Sequence, residues 1–172
     1  MTELVSGATA PESDLIDPLA AALRAAGYER KLRRWRRVWP DAIGVVDLSP
    51  SRVGAHFYLE LGVAIAGVEP ARVGWFGTEK CHMWARVEDL LPPDQHAWSR
   101  QVLDLGSGMA AAERSHAIGA LVSDAVVPYH TARSTMEAIR RVVHASGFPD
   151  VLRFGTRAFF GLPPPQPQAP NR

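Results

Sequence analysis

Only one cysteine, Cys81, occurs among the 172 residues. No disulfide can therefore close within the chain, which excludes the covalent staple of a small secreted domain and points to a reducing, cytoplasmic compartment. Long hydrophobic runs are missing as well: the longest, residues 61–68, falls far short of the ~20 residues that a membrane helix needs, so no membrane partner is expected. The opening stretch MTELVSGATAPESD carries acids and no continuous apolar core, unlike a secretory signal. Neither sign of charge dominates, since 19 Lys and Arg against 18 Asp and Glu leave a net charge of +1, and a globally basic nucleic-acid binder is disfavoured.

What is present is the composition of a globular protein. Hydrophobic residues make up 47% and charged residues 22%, so disorder over the whole length is disfavoured, and the length suits one domain with a proper core better than two. Residues 12–162 are expected to form a single α+β domain. The tails, 1–11 and 163–172, are expected to be flexible: the first is small, polar and aperiodic, and the second, PPPQPQAPNR, is proline and glutamine.

Alternation of period two dominates residues 42–68. Phe57, Leu59, Leu61, Val63 and Ile65 take one parity and His56, Tyr58, Glu60 and Gly62 the other, which describes a half-buried strand. Ile43, Val45, Val46 and Leu48 form a second run, and Ser49 to Gly54 between them suit a reversal, so an antiparallel hairpin is predicted. Further strands are expected at Trp35–Trp39 and Cys81–Val87, giving an antiparallel sheet of about four strands. Helical spacing of Leu15, Leu19, Leu23 and Ala26 marks a first helix over 13–26, with Gly27 as its stop. Pro18 allows either a start at Asp17–Pro18 or a start near Asp14 with the proline inside the first turns. Beyond Pro93 the period changes to that of helices, within 109–126 and again after Ser134, which stands at capping-box distance from Glu137. The order, helix then sheet meander then helices, is that of an α+β fold. The conformation of 151–162 is not readable.

Ala26-Gly27-Tyr28 closing the first helix, the basic aromatic word Trp35-Arg36-Arg37, the hairpin VVDLSPSRVGAHFYLELGV, and Cys81-His82 followed by Arg86 carry a family resemblance. Over residues 15–91, and more loosely beyond, the chain resembles the domain of unknown function 4304 family. That family usually has a polar amide near Pro50, and none stands there in this chain. The resemblance implies an α+β domain and assigns no activity.

The motifs that could carry chemistry weaken on inspection. The word VLDLGSGMAAAE, residues 102–113, looks like the glycine turn of an adenosylmethionine-dependent methyltransferase, but too little chain follows to complete a doubly wound sheet, so no cofactor is expected. Cys81 and His82 are neighbours in a strand and point to opposite faces; His116, His130 and His144 lack ligand spacing, so no metal is expected either. Cys81 shares the parity of Met83, Ala85 and Val87 and reads as a small buried side chain rather than a nucleophile.

Two clusters remain as candidate surfaces. His56, Tyr58, Glu60, His82, Trp84 and Arg86 would form a mixed aromatic and charged patch on the sheet face opposite the apolar parity, a composition suited to recognition. Arg30, Lys31, Arg33, Arg34, Arg36 and Arg37 crowd into eight positions and would form a basic patch, either a solvated edge strand or a phosphate-binding stripe. With no coherent catalytic set, the reading is a non-enzymatic module that presents its sheet face or basic edge to another protein. The alternatives are a small enzyme or ligand binder using His56, Glu60 and Arg86, and a non-specific nucleic-acid binder working through Arg30–Arg37. The sequence does not specify an oligomeric state.

Overall fold

The computed structural model describes residues 10–145 and 147–164, so most of the two expected tails lies outside the described residues. Helix α1, Ser13–Ala25, buries Leu15, Leu19 and Leu23 on one stripe. It begins at Ser13, the earlier of the two starts that the sequence allows. Pro18 sits inside it and forgoes one backbone bond. Gly27, at φ +83°, turns the chain left-handed, and the Gly27 and Tyr28 N–H groups donate back to the Arg24 and Leu23 carbonyls.

Six strands follow in sheet order identical to sequence order: β1 Glu29–Lys31, β2 Arg34–Val38, β3 Ala42–Pro50, β4 Phe57–Ile65, β5 Met83–Arg86 and β6 Val151–Leu152. Every neighbouring pair is antiparallel. The expected hairpin is β3–β4, registered from Ala42 opposite Ile65 to Pro50 opposite Phe57. The expected count of four strands becomes six because β1 and β6 carry no alternating pattern. All of β1 is exposed and charged. Its pairing with β2 comes from a two-residue turn, Leu32-Arg33, with Leu32 at φ +58°, and β6 is held by register to Met83 and Trp84.

One face of this sheet, the inner face, presents Trp35, Val46, Leu48, Leu59, Leu61, Val63, Met83 and Ala85 to the helices in one continuous core. The helices are α2 His96–Val102, α3 Ala111–Leu121, α4 Val127–Thr131, α5 Met136–His144 and α6 Thr156–Phe159. The expected helix over 109–126 extends through a π-helical turn, Val122–Val126, into α4. The widened turn sits just before Pro128, which lacks an N–H for the regular ladder. The α5 cap is a second correction. Thr135, not Ser134, accepts the Ala138 N–H, while the Ser134 hydroxyl donates to the Thr131 carbonyl.

The outer face is closed at one end only. Residues 66–82, between β4 and β5, lay Phe76 and Cys81 over Val45 and Ala64. Room for Cys81 comes from Gly62, where a Cβ would fall 2.5 Å from the Cys81 Sγ. Cys81 is buried as expected, but against this outer cluster rather than beside Met83, because the strand alternation begins only at Met83. The chain returns to the sheet edge through a buried network in which Asp150 accepts from the Tyr129 hydroxyl at 2.5 Å and from Arg133 Nη2 at 2.6 Å. That anchor sets β6 against β5 and so places Arg153 beside the open half of the outer face.

Candidate recognition surface on the outer sheet face

Register brings the odd-even pattern of β3, β4 and β5 into one row. Asp47 stands opposite Glu60 and Ser49 opposite Tyr58, while Glu60 stands opposite Arg86 and Gly62 opposite Trp84. Tyr58, Glu60, Trp84 and Arg86 are all half-buried. His56, just before β4, continues the row and lies edge-on to Tyr58 at 4.9 Å. The Arg86 guanidinium sits over Tyr58 at 4.4 Å and reaches Trp84 at 5.7 Å, and Arg153 lies over Trp84 from the other edge at 4.9 Å. The result is a ladder of alternating rings and cations running from His56 to Arg153.

His82 does not belong to this row. It is fully buried; its Nδ1 accepts the Ile65 N–H at 2.8 Å and its Nε2 lies 3.3 Å from the Pro70 carbonyl, which makes Nε2 the protonated nitrogen. The physical reason is the same break in alternation that moves Cys81: at residues 81 and 82 the chain is still leaving segment 66–82. Burial lowers the pKa of His82 and pushes the Cys81 thiol up, so neither offers a base or a thiolate to the surface.

The basic cluster is dispersed by the β1–β2 hairpin. Arg34 Nε binds Asp47 at 2.6 Å, Arg36 binds Glu29 at 3.1 Å and lies over Trp75 at 4.4 Å, and Arg33 pairs with Glu12. Arg37 points to the inner side, where Nη1 donates to the Ala26 carbonyl at the carboxyl end of α1. Arg30 and Lys31 stay exposed on β1, and it is β1, not β2, that forms the sheet edge. The expected edge strand of six cations is thus mainly a set of intramolecular ties.

Between hairpin, ladder and segment 66–82 lies an open cleft of about 820 Å³. The hairpin supplies one wall through Arg30, Lys31, Leu32 and Arg33. Asp47, Ser49, Glu60 and Trp84 form the floor, and Trp75, Thr78, Glu79 and Arg153 close the far side. Its floor carboxylates are already engaged. Asp47 accepts the Thr78 N–H at 2.8 Å in addition to Arg34, and Glu60 accepts the Ser49 and Thr78 hydroxyls at 3.2 and 3.3 Å. Asp47 was visible in the sequence as a lone acid inside an apolar strand. Trp75, Thr78, Glu79 and Arg153 lie in irregular chain with no periodic signal. A second, shallower hollow of about 500 Å³ adjoins the ladder at His56 and Tyr58, with Glu88, Arg100 and Asp104 around it.

The remaining polar candidates lie elsewhere. His130 is fully buried in α4, its Nδ1 accepting from the Tyr28 hydroxyl at 2.7 Å and its Nε2 donating to the Gly62 carbonyl at 3.1 Å, and burial drives its pKa down to about 3. Residues 102–109 are not a strand feeding a glycine turn. Val102 ends α2, and the loop after it is wound around the buried Arg114, whose Nη1 donates to the carbonyls of Val102 and Asp104 and whose Nη2 donates to the Ser107 hydroxyl. Among the described residues no three His, Cys, Asp or Glu side chains are grouped to hold a metal ion, and no helix is long and apolar enough to cross a membrane.

A family model described as "Domain of unknown function (DUF4304)" matches residues 19–132, a span that holds the sheet from β1 to β5 and helices α2 to α4. No curated protein and no solved structure matches the chain.

Proposed function

Since the chain belongs to the domain of unknown function 4304 family, whose description assigns no activity, we propose from the outer face itself that the protein is a non-enzymatic recognition module that binds another protein through the cleft. The observation that carries this reading is the make-up of the surface: an open cleft lined by Trp75, Trp84 and Arg153 beside the ladder of half-buried rings and guanidinium groups, in which Glu60 accepts from both the Ser49 and Thr78 hydroxyls rather than standing free as a base. Catalysis by acid–base or covalent chemistry needs two groups, such as a nucleophile and a base, within hydrogen-bond reach of a substrate atom. Here His82, His130 and Cys81 are buried, and none of them lines the cleft. Aromatic and arginine side chains at the centre of a concave surface are the residues that dominate protein recognition, because they bury large area with little loss of side-chain freedom.

The test is affinity capture from native lysate with wild type, Trp84→Ala, Arg86→Ala and, as a control on the far β3–β4 turn, Arg52→Ala, all at matched folded concentration. A protein retained by wild type and Arg52→Ala and lost from both ladder variants supports the reading. Retention of every captured protein by all four would overturn it.

A further inference from the structure

We propose that Arg86 and Arg153, held on either side of Trp84, form a carboxylate-binding fork that takes an acidic segment of the partner protein. The proposal rests on the reading of the cleft as a protein-recognition surface and names the chemistry of its ligand. Arg86 stands directly across from Glu60 in the β4–β5 register, where a salt bridge between the two is the simplest outcome. It does not form. Glu60 turns to the Ser49 and Thr78 hydroxyls, and Arg86 turns to Tyr58 and Trp84. Among the described residues no carboxylate lies within ion-pair distance of Arg86 or of Arg153, whereas Arg33, Arg34, Arg36 and Arg133 each have one. The Arg86 Nε is buried without any partner, and Arg153 uses Nη1 on the Thr78 carbonyl at 3.1 Å.

A guanidinium laid over a ring has lost most of its rotamer freedom before any ligand arrives, and among the described residues no hydrogen bond occupies the Arg86 Nη atoms or Arg153 Nη2. That is preorganisation for a planar oxyanion. The surroundings select among anions. In the adjoining cleft Asp47, Glu60 and Glu79 are interleaved with Arg30, Lys31, Arg33, Arg34 and Arg153, so its charge is mixed and offers no continuous basic stripe for a phosphate backbone. Tyr58 and Trp84 are already stacked with guanidinium groups, which leaves them poor platforms for nucleobases. A peptide places its carboxylates singly, with amides between them that can meet Ser49, Thr78 and the floor carboxylates.

Fluorescence anisotropy with a labelled hexaglutamate peptide and the full chain tests this, with hexaglutamine and an oligothymidylate of equal length as the other probes. Hexaglutamate should bind wild type and Arg52→Ala alike, and Arg153→Ala and Arg86→Lys should each weaken it about tenfold, the loss of one charge-assisted bond or of a planar fork. Using lysine at 86 and a separate position at 153 keeps the test independent of any folding role of Arg86. The carboxylate fork is overturned if hexaglutamate binds no better than hexaglutamine, if both variants bind it as wild type does, or if the oligothymidylate binds as tightly and is lost in the same variants. The two levels separate cleanly. Partner capture lost in the ladder variants together with no hexaglutamate binding removes the fork and leaves the recognition surface, whereas capture indifferent to the ladder removes the surface itself.

Discussion

The two faces of one sheet have had opposite fates. On the inner face Trp35, Val46, Leu61 and Met83 meet α1 and α3 in a continuous apolar core. On the outer face the same strands present Asp47, Glu60, Trp84 and Arg86, and only one end is covered, by Phe76 and Cys81. Burial on the inner side is apolar and non-directional, so it is satisfied wholly within the chain. On the outer side the groups need directional partners; the carboxylates have found theirs, and two of the guanidinium groups lie over rings with no carboxylate among the described residues. Stability should therefore reside on one face and recognition on the other.

The largest expected effect comes from the inner face. Leu61→Ala removes a fully buried side chain from the centre of the core and should cost about 2–5 kcal/mol in denaturant unfolding while leaving any surviving folded fraction competent to bind. A cost below about 1 kcal/mol would contradict the division of labour between the faces.

The covered end of the outer face comes next. Gly62→Ala drives a methyl against the Cys81 Sγ at 2.5 Å and against Thr78 Cα at 3.3 Å, and overpacking of this kind should cost about 1–3 kcal/mol. Because the strain falls on segment 66–82, hydrogen exchange should rise at Thr78–Lys80 before it rises in β3. Uniform loosening of the whole sheet would show that the two faces are not separable.

Acid should act through the inner side. His130 in the folded state has its pKa depressed to about 3 by burial, and His82 is shifted in the same direction by the same cause. The unfolded chain, with ordinary imidazoles near 6.5, binds protons that the folded chain refuses. Stability contributed by the neutral rings is thus complete above about pH 6.5 and is lost as pH falls from there toward the folded pKa, at up to about 1.4 kcal/mol per pH unit for each ring. Unfolding midpoints measured between pH 7 and 4 should fall accordingly, and His130→Gln should flatten the slope. An unchanged slope in that variant would show that His130 is not the sensor.

The smallest stability effect belongs to the open ladder. Arg86→Ala should change unfolding free energy by less than about 1 kcal/mol, since the side chain has no ion pair among the described residues to lose and is only half-buried. A larger loss would make Arg86 a structural residue and the ladder part of the core.

Much of this geometry was legible in the chain. Phe57, Leu59, Leu61, Val63 and Ile65 face inward as their parity requires, and Tyr58, Glu60, Trp84 and Arg86 share the opposite face because strands in register preserve that parity. Leu15, Leu19 and Leu23 mark α1 for the same kind of reason. Legibility failed where no period operates. Strand β1 consists of three exposed charged residues, β6 of two residues held through the adjacent Asp150 to the distant Tyr129 and Arg133, and Cys81 and His82 lie in irregular chain where alternation says nothing about direction.

The sequence by itself determined the architecture, an α+β domain around an antiparallel hairpin, because hydrophobic periodicity is a local property that each strand or helix expresses wherever it lies. Only the tertiary structure decided which cations remain without a carboxylate. Arg33, Arg34 and Arg36 stand next to Arg30 in a run that looks uniform, yet the hairpin turn at Leu32 sends them to Glu12, Asp47 and Glu29. Arg153, 67 positions beyond Arg86, reaches the same tryptophan because β6 closes onto β5. Charge pairing depends on distances across the fold, and no spacing along the chain encodes them.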